Sequence, residues 1–202
     1  MGGASRAGQG SHVNKHVALL TVLVLWAGPA FATEFMLYDG ESLAGWQVVG
    51  EANWVSREGV IEAAGAGDGF LLSDNKYANF VLTLEFWVDA TTNSGVFIGC
   101  PGGGKIHPEQ CYEINIWDDH PKPPARTGAI VFEVMPPLVH LETVGKWNTY
   151  EISHTGTRVT ATLNGELTAV LDDARPEAGH IALQHFGDGV VRFRKLRLRR
   201  VD

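Results

Sequence analysis

Glu113, Asn115 and Trp117 alternate along the stretch CYEINIWDDH (Cys111–His120), which places a carboxylic acid, an amide and an indole on one face of a β-strand. A carboxyl group can give or take a proton, an amide can do both jobs in a hydrogen bond, and an indole offers a flat apolar face with one donor. Other segments can be sorted the same way. In FVLTLEFWVDA (80–90), Leu82, Leu84, Phe86 and Val88 form an apolar side and Glu85 and Trp87 oppose them. In GHIALQHF (179–186), Ile181, Leu183 and His185 point inward and Ala182 and Gln184 outward. In VVRFRKLRL (190–198), Val191 and Phe193 point inward and Arg192 and Arg194 outward, and a bulge near Lys195 is needed to return Leu196 and Leu198 to the core. Glu85, Glu113, Asn115, Gln184, Arg192 and Arg194 thus form a polar non-core set. An alternating antiparallel sheet with one solvated face would explain such a set. The mixture of amides, carboxylates, arginine and tryptophan also suits a groove that bonds sugar hydroxyls and stacks on sugar rings.

These strands belong to a chain of 202 residues, about one domain's worth after its N-terminus is set aside. Arg6 and Lys15 precede an apolar run from Val17 to Trp26, and Ala30-Phe31-Ala32 fits a small-x-small cleavage site. Residues 1–32 read as a secretory signal peptide cleaved after Ala32, leaving a single exported domain over 33–202 in the periplasm or outside the cell. An uncleaved anchor is the other reading, but the run falls short of the ~20 residues that span a bilayer, and no later segment could cross one.

Beyond residue 32 helix signals are nearly absent. Short runs rich in Val, Ile, Thr, Phe, Tyr and Trp alternate with Gly, Asn and Asp clusters, the pattern of an all-β sandwich. Strands are expected near 35–38, 46–49, 53–56, 59–63, 69–72, 79–89, 94–100, 111–117, 128–133, 147–154, 157–163, 166–171, 179–185 and 190–200. Asn164-Gly165 and Glu58-Gly59 suit tight turns between successive strands. DDHPKPPARTG and EVMPPLVHLETVGK are proline-rich and read as loops over one end or face, where ligand contacts often sit.

Cys100 and Cys111 are the two cysteines, and export makes a disulfide between them the expected state. A metal pair or a reactive thiol would be the alternatives, but a zinc site needs further Cys or His at close spacing. Removing residues 1–32 takes away Arg6 and Lys15 and no acid, so the formal charge moves from −7 to −9. Such an acidic domain is a poor partner for nucleic acid. No Gly-rich phosphate loop, His-Glu-x-x-His or Gly-x-Ser-x-Gly occurs.

MLYDGESLAGW (36–46), the 54–86 segment, NSGVF (93–97), CYEINIWDD (111–119), GKWNTYEIS (145–153), LNGEL (163–167) and the 179–200 segment occur together in a familiar order. In that order they resemble the 3-keto-disaccharide hydrolase domain family, from about residue 35 to 201. The resemblance implies a concanavalin A-like jelly roll with a concave polar face. It also implies cleavage of glycosidic bonds in sugars already oxidised at C3, such as 3-keto-disaccharides or 3-keto-glucosides. A C3 ketone acidifies the C2 proton, so a base can remove it, the C1–oxygen bond breaks by elimination, and water adds back. Carried onto this chain, Glu113 falls in the family's Tyr-Glu-x-Gln-Ile-type strand as base or acid, with Asn115 in the place of the usual Gln. Catalytic roles would extend to His185 and Arg194, and substrate binding to Glu85, Asn93, Asn115, Trp117, Gln184 and Arg192. A histidine packed in the core, an Arg194 paired with Glu113 or Glu85, and a turn role for Asn93 are the plainer readings. Where the family often carries Arg after NSG, this chain has Gly99 and Cys100. A non-catalytic carbohydrate-binding module of the same fold is therefore the alternative function. Asp118 and Asp119 are weak candidates to hold a divalent cation such as Ca²⁺, though turn chemistry also accounts for them.

Overall fold

In a computed structural model of the chain, residues 1–3, 33–103, 106–137 and 141–201 are described. The chain divides into two units, Met1–Phe31 and Ala32–Asp202, and all that follows concerns the second. The expected signal peptide and its cleavage site lie outside the described residues. Among the described residues no helix is long and apolar enough to cross a membrane.

Among the described residues the alternating runs form thirteen antiparallel strands. They are β1 (Glu34–Met36), β2 (Trp46–Gly50), β3 (Trp54–Arg57), β4 (Val60–Ala64), β5 (Gly69–Tyr77), β6 (Phe80–Val88) and β7 (Asn93–Cys100). After them come β8 (Tyr112–Ile116), β9 (Asn148–Thr155), β10 (Arg158–Leu163), β11 (Glu166–Leu171), β12 (Gly179–Phe186) and β13 (Val190–Arg200). An eight-stranded sheet runs β11-β10-β9-β6-β13-β4-β3, with β1 also on β13, and a five-stranded sheet runs β2-β5-β12-β7-β8. The fold is all-β, a two-sheet jelly-roll sandwich.

Period two decides what fills the space between the sheets. Leu82, Leu84, Phe86, Val191, Phe193, Leu196 and Leu198 meet Val96, Ile98, Ile114, Ile116, Ile181 and Leu183 in one core. The expected bulge is present: pairing with β6 shifts between Arg194 and Arg197, and Lys195 takes a left-handed φ of 54°. Glu58-Gly59 and Asn164-Gly165 have positive φ at both positions, as type I′ turns require.

One expected strand is not a strand. The 128–133 run makes only isolated bridges, Ile130 to Ile114 and Ile130 to Val134. Left-handed backbone at Gly128 (φ 89°) and Phe132 (φ 69°) breaks the run at both ends. Its backbone instead follows the outer edge of β8. The amide of Val131 donates to the Glu113 carbonyl (3.0 Å), that of Gly128 to the Asn115 carbonyl (3.2 Å), and that of Asn115 to the Ala129 carbonyl (3.1 Å).

A second, smaller apolar cluster lies on the outer face of the five-stranded sheet, where Phe70, Leu72, Phe97 and Ala182 pack with Cys100 and Cys111. Those two cysteines form a disulfide and close the loop between β7 and β8. On the chain-entropy estimate a loop of this length stabilises the fold by roughly 2–3 kcal/mol. Replacing both cysteines by serine is expected to lower Tm by about 5–10 °C in a calorimetric scan. A reductant should then have no further effect on the variant.

Candidate functional site

The loops that flank β8 fold over the outer face of the five-stranded sheet and leave a cleft of about 280 Å³. Its polar lining comes from Glu113 and Asn115 on β8, Asn93 at the start of β7, Gln184 on β12, and His120 and Lys122 on the first proline-rich loop. Phe70, Phe97, Ile106, Val131, Phe132 and Phe186 supply apolar walls. The disulfide-closed loop contributes Ile106, His107 and Pro108 to this lining.

Glu113 is 6% exposed, and among the described residues no donor bonds its carboxyl. Burial disfavours the charged form and pushes its pKa from 4.5 up to about 8. The glycine of Asn93-Ser94-Gly95 makes room for it. A Cβ at Gly95 would stand 3.1 Å from Glu113 Oε1 and 3.2 Å from its Cγ, tighter than ordinary contact. Next to it, Asn115 donates its Nδ2 to the Ala125 carbonyl. Among the described residues, the side-chain oxygens of Asn115 and Gln184 are buried without a hydrogen-bond partner. Unpartnered buried acceptors cost stability, so a donor on a ligand entering the cleft would be rewarded twice.

The loop that carries His120 and Lys122 is pinned from below. The buried Asp118 carboxylate accepts from Thr127 Oγ1 (2.6 Å), the Thr143 amide (2.5 Å) and Thr143 Oγ1 (2.8 Å). That engagement explains Asp118 as a clasp between two loops. Asp119 is exposed at the turn. Trp117 packs edge-on against the His120 ring, centroids 4.5 Å apart, and its amide donates to Thr127 Oγ1. It stands behind a lining residue and is not itself part of the lining.

The polar residues expected to form one groove are divided between two sheets. Glu113, Asn115, Asn93 and Gln184 come together in the cleft. Glu85, Arg192 and Arg194 lie on β6 and β13 of the other sheet, where each is held in an ion pair. Arg194 pairs with Glu85 (2.6 Å), to which Lys195 also bonds (2.7 Å), and its guanidinium lies 3.9 Å over the Trp147 ring. Arg192 pairs with Glu62 (2.5 Å) and covers Trp87 at 4.6 Å. His185 is fully buried, its ring nitrogens facing the carbonyls of Gly67 (3.0 Å) and Gly189 (3.1 Å), where it ties two loops together. None of Glu85, Arg192, Arg194 or His185 lines the Glu113 cleft. Alternation reports the side of a strand and not the sheet it joins, which is why it groups Glu85, Arg192 and Arg194 with Glu113; His185 shares the sheet of Glu113 but faces inward.

Lys122, His120 and Phe132 were not among the expected binding residues. The sequence signal for Lys122 and His120 was the proline-rich loop itself. Phe132 sat inside the run read as a strand. Gly99, where the family pattern often has Arg, adopts φ 69° and lines a different depression with Lys76, Tyr112 and Arg175. Its backbone is pressed by Gly179, where a Cβ would come within 2.3 Å of the Gly99 carbonyl carbon. Glycine at 99 therefore serves the β7 bend, away from the Glu113 cleft.

Residues 35–199 match the model of the 3-keto-alpha-glucoside-1,2-lyase-like domain, and the chain belongs to that family. A "putative glycosyl hydrolase" from Parabacteroides distasonis ATCC 8503 is 28% identical over 75% of this chain and 94% of its own, with a TM-score of 0.66. A second such protein from the same organism is 18% identical over 84% and 94%, with a TM-score of 0.71. The carbohydrate-binding module CBM66 from Bacillus subtilis shares the fold at 16% identity over 76% and 94%, with a TM-score of 0.56. No curated protein matches the chain.

The burial of Glu113 has a stability consequence. Below pH 4 both folded and unfolded chains hold its proton, and no penalty exists. Between pH 4.5 and about 8 the unfolded chain releases the proton while the folded chain keeps it, so stability falls as pH rises. Above about pH 8 the loss levels off. Glu113→Gln is expected to raise Tm by several degrees at pH 8 and to make no difference below pH 4, as a pH series of thermal melts would show.

Proposed function

We propose that this protein is an exported enzyme that cleaves the glycosidic bond of 3-keto-glycosides, with Glu113 as its proton-transfer group. The carrying observation is the placement of Glu113: a buried carboxyl opening on a cleft, with a proton affinity raised to the neutral range. A general base works best with a pKa near the operating pH, and an ordinary surface glutamate is far too weak for a carbon acid. Family membership supplies the chemistry, and the disulfide fits an exported setting.

In the proposed reaction the ionised Glu113 takes the C2 proton of a 3-keto sugar, and the C2–H electron pair forms an enolate with the C3 carbonyl. The enolate collapses, the C1–oxygen bond breaks, and the leaving oxygen receives a proton, with protonated Glu113 as its donor. The enone then takes up water, hydroxyl at C1 and hydrogen at C2, so the net change is hydrolysis without an oxidant. Lys122 supplies positive charge for the developing C3 oxyanion, and the amides of Asn93 and Gln184 orient ring hydroxyls. This differs from ordinary glycosidases, which use two carboxyls about an oxocarbenium-like centre; within this cleft Glu113 is the one carboxyl among the described lining residues.

Incubation of the purified protein with 3-keto-trehalose should release free sugar, with kcat/KM climbing as pH rises toward about 8. Glu113→Gln should lose at least about a hundredfold in turnover while keeping its fold by circular dichroism. Binding without turnover in both proteins would instead favour a non-catalytic carbohydrate-binding module, the reading to which the shared fold of CBM66 lends support.

A further inference from the structure

Phe132 belongs to neither apolar core, its ring lies 6.4 Å from that of His107, and backbone preference does not explain it. Its side chain is 72% exposed, and its φ of 69° is a conformation that a bulky residue rarely adopts. It sits at the tip of a three-residue turn closed by two bonds between Ile130 and Val134, amide to carbonyl in each direction (3.0 and 2.8 Å). The left-handed position in such a turn is normally filled by glycine or asparagine. The turn is rigidly tied to the site. Ile130 and Val131 are buried, and the Val131 amide donates to the carbonyl of Glu113 itself. A strained residue held by well-packed neighbours at the rim of a site points to a role in that site.

The surroundings of Phe132 indicate the role. It lines the Glu113 cleft and also a second, shallower depression of about 180 Å³, formed with Pro124, Glu133, Val134 and Met135. The two depressions share Lys122, Ala125 and Phe132, so they adjoin at the aromatic ring. Met135 is also exposed, which makes the second depression mainly apolar. A glycoside whose scissile bond lies near Glu113 must send its two halves in different directions. The ring of a sugar has an apolar C–H face that rests well on the negative face of an aromatic side chain.

We infer that Phe132 is a stacking platform for the leaving half of the glycoside, so that the domain selects 3-keto-disaccharides over 3-keto-glucosides with small aglycones. This rests on the reading that a 3-keto sugar occupies the Glu113 cleft. Phe132→Gly is the informative variant, because glycine accepts the left-handed backbone and removes only the ring. Titrations in a Glu113→Gln background would compare 3-keto-trehalose with a methyl 3-keto-glucoside, both of which are then consumed at least about a hundredfold more slowly. The expected result is about fivefold to tenfold tighter binding of the disaccharide, a preference abolished by Phe132→Gly and restored by Phe132→Trp. Tm should stay the same or rise in Phe132→Gly, which separates loss of the platform from loss of the fold. Equal weakening of both ligands, or no change in either, would overturn the role of Phe132 while leaving the cleft reading intact. If the Phe132-containing protein binds neither ligand, the cleft reading falls and the platform falls with it.

Discussion

Strand β8 is the last strand of its sheet, and its free backbone edge has to be satisfied. Exposed edges invite pairing with other chains; here the edge is covered from within. Gly128, Ala129 and Val131 bond along it, Thr127 bonds at Trp117, and the Tyr150 hydroxyl reaches across from the other sheet to the Asn115 carbonyl (2.8 Å). Covering the edge brings the 117–134 segment over the outer face of β8. That segment shuts Glu113 away from water, sets Lys122 and His120 across from it, and holds Phe132 at the rim. The cleft follows from the covering of this edge.

The same covering explains how the cleft combines apolar walls with polar groups left unsatisfied. Phe70, Phe97 and Ala182 form a small second core outside the sheet, which the disulfide-closed loop helps to seal. Inside that seal lie the Glu113 carboxyl and the side-chain oxygens of Asn115 and Gln184, while Lys122 stands exposed at the rim. Burying those three groups is unfavourable for the fold; in the proposed reaction it would be useful, since a preorganised group need not be rearranged at the moment of reaction. Gly95 and Phe132 show the same trade in the backbone: one position gives up a side chain to make room, the other accepts a left-handed φ that costs roughly 1–2 kcal/mol. On the outer face of the opposite sheet, charges are compensated instead. Its outer polar residues are paired off as Arg194 with Glu85 and Arg192 with Glu62, each guanidinium lying over a tryptophan.

Much of this was legible from residues alone. Alternation assigned Leu82, Ile114, Leu183 and Phe193 to the core, and the pattern around Lys195 demanded a bulge that the structure contains. Asn-Gly and Glu-Gly marked their turns because left-handed backbone restricts the residues that can occupy it. Glu113, Asn115 and Gln184 fall by alternation on faces away from the core, and they meet in the cleft with Asn93, which only the resemblance singles out. What period two could not convey is which strands become neighbours. Glu85 and Arg194 have the same local pattern as Glu113, yet β6 and β13 pair in the other sheet through contacts distant in sequence. Nor could local pattern show that β8 would be an edge, that residues 128–133 would bend around it, or that a carboxyl on a nominally wet face would lie buried. Those outcomes depend on long-range pairing and on the need to satisfy a free edge, and only the tertiary structure decides them.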